Sequence, residues 1–134
     1  MRLWHQDLIS CLPRQQLLGQ HRECCALRGK GWNRRHSTVD YVFEYRLERL
    51  VAFHKKVMAE MKVRGYNVTE KWEDVQYRGK KLGYDRSLDR TLSEEIVKDC
   101  TIIYPEHDSE YLQECQLNLL KKGVACFYVE ENIL

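Results

Sequence analysis

The residues able to do chemistry crowd into the opening stretch of this chain. One carboxylate, Glu23, stands among His21, Arg22 and Arg28, and the next acid upstream is Asp7. The chain opens Met1-Arg2-Leu3-Trp4, so the α-amino group of Met1 is a second candidate reagent. Such an amine titrates at about 7.7–8.0, against about 10.4 for a lysine, and nearby cations lower it further. A useful fraction is therefore free base near neutral pH. A primary amine beside one carboxylate is enough to attack a sugar C1′ and give an imine. The carboxylate then stabilises the positive charge that develops and moves protons. Surrounding arginines suit flanking phosphates. Met1 and Glu23 are thus the catalytic candidates.

Charge supports a polyanionic partner. Residues 1–36 hold seven Lys/Arg against two Asp/Glu, a local charge of +5, while the rest holds fifteen against eighteen, or −3. A one-sided field of this kind suits nucleic acid, although a merely solvated face gives the same count. Lys30-Gly31-Trp32-Asn33-Arg34-Arg35-His36 mixes bases with one aromatic, as a loop tracking a nucleic-acid backbone does, or is simply a hinge between helices. Arg34, Arg35 and His36 therefore join Arg2, His21, Arg22 and Arg28 as binding candidates.

Other classes recede. No apolar run approaches the roughly 20 residues that span a bilayer, and the first residues lack a signal-peptide core. The expected setting is cytoplasmic, with no membrane partner. Six cysteines are present, but without a secretory signal a disulfide framework is a weak reading. There is no Cys-x-x-Cys, so no metal site is expected, and a helical cysteine more often packs as a small hydrophobe. No cofactor is expected, and the Gly-x-x-x-x-Gly-Lys-Ser/Thr phosphate loop is absent.

The elements that must position these groups follow from spacing. Residues 1–9 are expected to form an extended, apolar lead-in tied to the body, with Ser10 capping an earlier turn. A helix starts near Pro13, carries Leu17, Leu18, His21, Cys24 and Cys25 at helical spacing, and stops at Gly29. On it, Arg22 and Glu23 point about 100° apart. Gly19 and Gln20 precede Glu23 by one turn, with the small Gly19 leaving room above it.

Ser37-Thr38-Val39-Asp40 reads as a helix start, leading into a short helix or turn through Phe43. From Arg46, the stripe Leu47, Leu50, Val51, His54, Val57, Met58 and Met61 marks a scaffold helix ended by Gly65, with His54 packed rather than reactive. Residues 66–101 are least periodic, with a basic turn at Arg78–Gly83 and a short helical turn over Glu94–Lys98. Asp108 or Ser109 caps a last helix ended by Gly123, and Val124–Val129 is an apolar tail. The expected fold is all-α: a compact single-domain bundle, residues 1–134, of about three main helices with long loops and the N-terminal segment packed between them.

Several short blocks fall in one order along this chain. They are Arg2, Ser10-x-Leu12, Leu17, His21-Arg22-Glu23, His36-Ser37-Thr38, Lys62-Val63-Arg64-Gly65-Tyr66-Asn67-Val68, Tyr77-Arg78-Gly79 and Tyr104-Pro105-Glu106-His107. The set resembles the phage-type pyrimidine-dimer DNA glycosylases, the endonuclease V type of repair enzyme. The resemblance implies a compact all-α DNA glycosylase and AP lyase that needs no cofactor and acts on damaged double-stranded DNA. It cuts the glycosidic bond of a damaged pyrimidine, cyclobutane dimers first, then nicks the strand by β-elimination. The implied nucleophile is the N-terminal amine and the implied acid is Glu23. Arg2 and Arg22, with Lys121 or Lys122 on the last helix, are implied to hold the substrate backbone. Two features depart from the family. Arg2 follows Met1 where the family exposes a small residue, so Met1's own amine is implied; and Val124–Leu134 does not match the family's aromatic, DNA-touching C-terminal segment.

Two other readings stand beside this one. A non-catalytic, basic nucleic-acid-binding module needs only the basic first third and Trp32. A structural adaptor needs only a solvated charged surface. A monomer is the expected state of the enzyme.

Overall fold

The computed structural model describes residues 2–29, 40–98 and 102–124. It is all-α. Among the described residues four α-helices follow in order: α1 (Arg14–Arg28), α2 (Leu47–Val63), α3 (Arg90–Lys98) and α4 (Ser109–Lys121). Three 3-10 turns, Gln6–Cys11, Asp40–Phe43 and Glu70–Glu73, punctuate them. Among the described residues the only extended pairing is an isolated antiparallel bridge between Tyr77 and Tyr84.

The helix ends obey local chemistry. Pro13 sits at the N-cap of α1 in an extended conformation, and Gly29 closes the helix with its N–H on the Cys25 carbonyl. α2 ends at Arg64, and Gly65 takes the left-handed φ of +80° that frees the chain to turn away. The Asp108 carboxylate caps α4 by accepting the Tyr111 N–H at 2.8 Å.

α2 is the scaffold. Leu50, Val51, Ala52, Phe53, His54, Val57, Met58 and Met61 are all buried, so more than one face is covered. It packs against α1, α3 and the first two 3-10 turns. The main core joins Leu3, Trp4, Leu8 and Leu12 of the lead-in to Leu17, Cys24 and Leu27 of α1. Phe53 and Val57 of α2, Ile103 and Tyr104, and Cys115 and Leu119 of α4 complete it. Each fully buried large apolar side chain contributes about 1.5–3 kcal/mol. Leu3, Trp4 and Leu8 thus pin the start of the chain strongly.

Three local expectations are corrected. The lead-in is extended only to His5; a 3-10 turn begins at Gln6. His5, not Ser10, opens that turn. Its Nδ1 accepts the Asp7 N–H at 3.1 Å, its carbonyl accepts the Leu8 N–H at 2.9 Å, and Ser10 lies inside the turn. Third, the short turn expected over Glu94–Lys98 is a nine-residue helix. Asp89 Oδ1 accepts the Thr91 and Leu92 N–H groups at 2.9 and 3.2 Å, which starts the helix four residues earlier. The Ser37 cap and Ala125–Val129 lie outside the described residues.

Candidate active site

A buried carboxamide organises the region around Glu23. Gln20 lies one turn before Glu23 on α1 and is 1 % exposed. Its Nε2 donates to the Arg2 carbonyl at 3.1 Å and to Glu23 Oε2 at 3.0 Å. Its Oε1 accepts the Trp4 N–H at 2.7 Å. One side chain therefore ties the second and fourth residues of the chain to the single carboxylate of α1. Trp4 is buried beneath, and Tyr111 of α4 donates its hydroxyl to the Leu3 carbonyl, so the lead-in is held from both sides.

Glu23 is half-buried, and burial raises its carboxyl above the ordinary value. Three positive charges oppose this: the chain's amino terminus first, then Lys122 and Arg22. The acid is thus partly desolvated and surrounded by cations, an environment suited to stabilising a developing cation and passing a proton.

The other candidates separate into groups. The half-buried Arg2 guanidinium lies 3.8 Å from Glu114 of α4 and over the rings of Trp4 and Tyr111, at 5.8 and 6.0 Å. Arg22 is exposed. A Cβ added at Gly19 would meet only Arg22 Nη2, at 3.8 Å, so the space left by this glycine lies beside that guanidinium. Lys121 and Lys122 are both exposed, and the Lys122 ammonium sits 5.3 Å over the Trp4 ring. Arg2, Arg22 and Lys122 therefore gather around the lead-in and Glu23. Met1, Arg34, Arg35, His36 and Trp32 lie outside the described residues.

Arg28 is a correction. It is 0 % exposed and cannot reach a phosphate. Its Nη1 donates to the Trp72 carbonyl at 2.7 Å; its Nη2 donates to those of Asp74, Val75 and Tyr77 at 2.8, 3.3 and 2.9 Å. Trp72 lies 5.0 Å from the guanidinium carbon. Burial lowers its pKa to about 10. It remains a cation at neutral pH, dissolved in carbonyl dipoles rather than paired with a carboxylate among the described residues.

The same guanidinium fixes the two histidines behind it. Arg28 Nη1 lies 3.0 Å from His54 Nδ1 and has only protons to offer, so Nδ1 accepts. Neutral His54 then carries its proton on Nε2 and donates to His21 Nδ1 at 2.8 Å. Burial and the Arg28 charge hold the His54 pKa well below the ordinary value; burial, Arg22 and Arg28 lower that of His21. His21 is thus half-buried, with its Nδ1 bonded inward to His54.

His21, Cys25 and His54 bring three donor atoms within 4.8 Å of one another. They do not suit a metal ion. Ligation through His54 Nε2 would move its proton to Nδ1, facing the Arg28 N–H at 3.0 Å. A divalent ion would also sit beside a buried guanidinium, and burial keeps the Cys25 thiol protonated, with a pKa of about 11.

Cys24, Cys25 and Cys115 are free, whereas Cys11 is disulfide-bonded, so the weak reading of the cysteines as disulfide partners holds at Cys11. His107 packs: its Nε2 lies 2.8 Å from the Tyr41 hydroxyl and its ring stacks on Tyr111 at 5.0 Å.

Sequence reasoning missed Gln20 as the bridge. A carboxamide one turn before the lone acid was visible, but its link to Arg2 and Trp4 depends on how the lead-in folds back. No curated protein and no solved structure matches the chain in the comparisons made. A family model, pyrimidine dimer DNA glycosylase, matches residues 1–74, which include the lead-in, α1 with Gln20 and Glu23, and α2. More than half of the chain is covered, and the chain belongs to the pyrimidine dimer DNA glycosylase family.

Proposed function

We propose that this protein is a DNA N-glycosylase with AP lyase activity on damaged pyrimidines, cyclobutane dimers foremost, in double-stranded DNA. The Met1 amine is the nucleophile and Glu23 the acid–base. The observation that carries this reading is the Gln20 bridge, which holds the Arg2 carbonyl and the Glu23 carboxylate on one amide nitrogen, at 3.1 and 3.0 Å. Two residues of extended chain span at most about 7 Å, so covalent geometry alone keeps the first nitrogen near that carbonyl. The pull of the amino-terminal charge on Glu23 agrees with this.

The amine's lone pair attacks C1′ as the C1′–N glycosidic bond breaks, and the base leaves with the bond electrons and takes up a proton. Glu23 stabilises the cationic character at C1′. Loss of the amine proton and opening of the sugar ring, with a proton delivered to O4′, give an iminium between Met1 and C1′. That iminium acidifies C2′–H; a base removes the proton and the C3′–O bond breaks with the phosphate as leaving group. Glu23, raised in pKa by burial and drawn down by the amino-terminal charge, is suited to these proton transfers. Water then hydrolyses the imine and frees the amine. Arg2, Arg22, Lys121 and Lys122 neutralise the flanking phosphates, and a damaged base is cheaper to unstack than an intact one.

Borohydride reduction in the presence of lesion-bearing duplex is expected to trap one covalent adduct, mapped to Met1. Acetylating the N-terminus abolishes it, and Glu23→Gln loses turnover while retaining DNA affinity. An adduct mapped to Lys122 refutes the terminal-amine mechanism. Binding without any adduct favours the non-catalytic binding module.

A further inference from the structure

The turn that follows Tyr77 is absorbed by none of the chemistry above, yet it is tightly built. The four carbonyls that solvate Arg28 belong to Trp72, Asp74, Val75 and Tyr77, the segment leading into the turn. The grip is returned: Arg78 Nε donates to the Arg28 carbonyl at 2.8 Å. Within the turn, Arg78 N–H donates to Gly83 O and Gly83 N–H to Gly79 O, both at 2.8 Å. Gly79 and Gly83 take left-handed φ values of +99° and +66°. Gly79 packs on the Trp72 ring, where an added Cβ would meet Cζ2 and Cη2 at 3.9 and 3.5 Å. Trp72, Tyr77 and Tyr84 form a chain of rings with centroids 4.8 and 5.2 Å apart.

This base presents a particular tip. Lys80 and Lys81 are exposed, as are Leu82 and Tyr84. Residues 75–84 contain no acid, and Arg78 alone is matched, by Asp85 at 3.4 Å. Neither lysine is in an ion pair among the described residues. A loose basic loop loses roughly 1–2 kcal/mol of backbone entropy per residue when it orders on a ligand. Here that loss has already occurred on folding, so the lysines and ring are pre-organised. Exposed cations beside an exposed aromatic are the elements of a phosphate-backbone contact.

We propose that the Arg78–Tyr84 turn is a second DNA-contacting element that grips duplex flanking the lesion, with Lys80 and Lys81 on phosphates and Tyr84 against the backbone. Its place follows from its anchor. The turn is bolted to the C-terminal end of α1 at Arg28 and Gly29, and six residues of helix rise, about 9 Å, separate Gly29 from Glu23. The inference rests on the glycosylase reading, since it takes DNA as the partner.

The test is the salt dependence of binding to lesion-bearing duplex for wild type and K80A/K81A. It uses one duplex extending ten base pairs beyond the lesion on each side and one extending two. Both lysines are exposed, so the variant keeps its fold. Loss of two phosphate contacts lowers the slope of log affinity against log salt by about 1.8, and affinity for the long duplex by about 10–60-fold at 0.1 M salt. Tyr84→Ala lowers affinity a few-fold without changing the slope. The short duplex is expected to discriminate much less between K80A/K81A and wild type. An unchanged slope on the long duplex, or equal losses on both lengths, overturns the proposal and leaves the glycosylase reading intact. Failure of wild type to bind duplex at all removes both.

Discussion

Replacing Gln20 by leucine tests the architecture that brings the chain's beginning to its acid. The volume is nearly kept, and three hydrogen bonds are lost, at 2.7, 3.1 and 3.0 Å. A typical net bond contributes about 1 kcal/mol, and a buried donor left unsatisfied costs about 1–3 kcal/mol. The Trp4 N–H is such a donor. The lead-in cannot easily escape the penalty by detaching, because burial of Leu3 and Trp4 is worth about 1.5–3 kcal/mol each. The expected loss is therefore about 2–5 kcal/mol of folding stability, read from urea unfolding followed by tryptophan fluorescence. A second effect falls on chemistry. With the Arg2 carbonyl and Glu23 no longer on one donor, the rate of borohydride trapping under native conditions is expected to fall at least tenfold, or about 1.4 kcal/mol in the barrier. Gln20→Glu separates the two effects: it retains an acceptor for the Trp4 N–H but places a second carboxylate beside Glu23. Its stability loss should be smaller and its trapping at least as impaired near neutral pH. A Gln20→Leu protein within about 0.5 kcal/mol of wild type and trapping at the wild-type rate would refute the bridge as organiser of the site.

Three further outcomes are expected. The trapping rate should rise with pH through a midpoint near or below about 8, as an α-amine does, and not near 10.4 as for a lysine; single-turnover trapping across pH 5–10 reads this. Stability should fall on acidification below about pH 6.5, because His5, His21, His54 and His107 all have lowered folded pKa values, His107 to about 3. The unfolded chain then binds more protons than the folded one, so stabilisation is complete above the unfolded pKa and is lost as pH falls from there toward the folded values, at about 1.4 kcal/mol per pH unit for each histidine in that window. Denaturant midpoints from pH 8 to 4 check the sign. Arg28→Lys should cost about 3 kcal/mol or more, since a lysine's three donors cannot serve four carbonyls and His54 Nδ1; the folded fraction should still bind DNA with a nearly unchanged salt slope, as a buried cation contributes no phosphate contact.

The elements nearest the site were readable because their signals are local. Pro13 and Gly29 bracket α1, the apolar stripe from Leu50 to Met61 defines α2, and Asp108 with Gly123 bounds α4. The Glu23 position and its cationic surroundings could likewise be read from spacing on one helix. Arg28 could not. In the sequence it is one more base in a basic third, indistinguishable from Arg22; what separates them is the loop Trp72–Tyr77, forty-four or more residues away, whose carbonyls turn inward around it. Carbonyl direction leaves no trace in side-chain pattern. His54 was read as packed in the scaffold stripe, and it is buried; only its partnership with His21, thirty-three residues away on another helix, left no trace in the sequence. α3 was shortened for a different reason: Asp89 is a capping residue, but the aperiodic run before it masked the signal.

The burial of Arg28 bears on how the site is held. A guanidinium 0 % exposed, and unpaired with a carboxylate among the described residues, costs free energy that its acceptors must offset, and among those residues its Nε has no hydrogen-bond partner. Those acceptors come from the Trp72–Tyr77 segment, while His54 adds one from the scaffold helix. Arg28 therefore couples two pieces of chain to the C-terminal end of α1, much as Gln20 couples the lead-in to its middle. Glu23 lies between these two fixed points on one rigid helix. The proposed mechanism, in which that carboxylate faces a nitrogen delivered by the chain's own beginning, needs both: the lead-in bound close by, and the helix beneath it unable to roll.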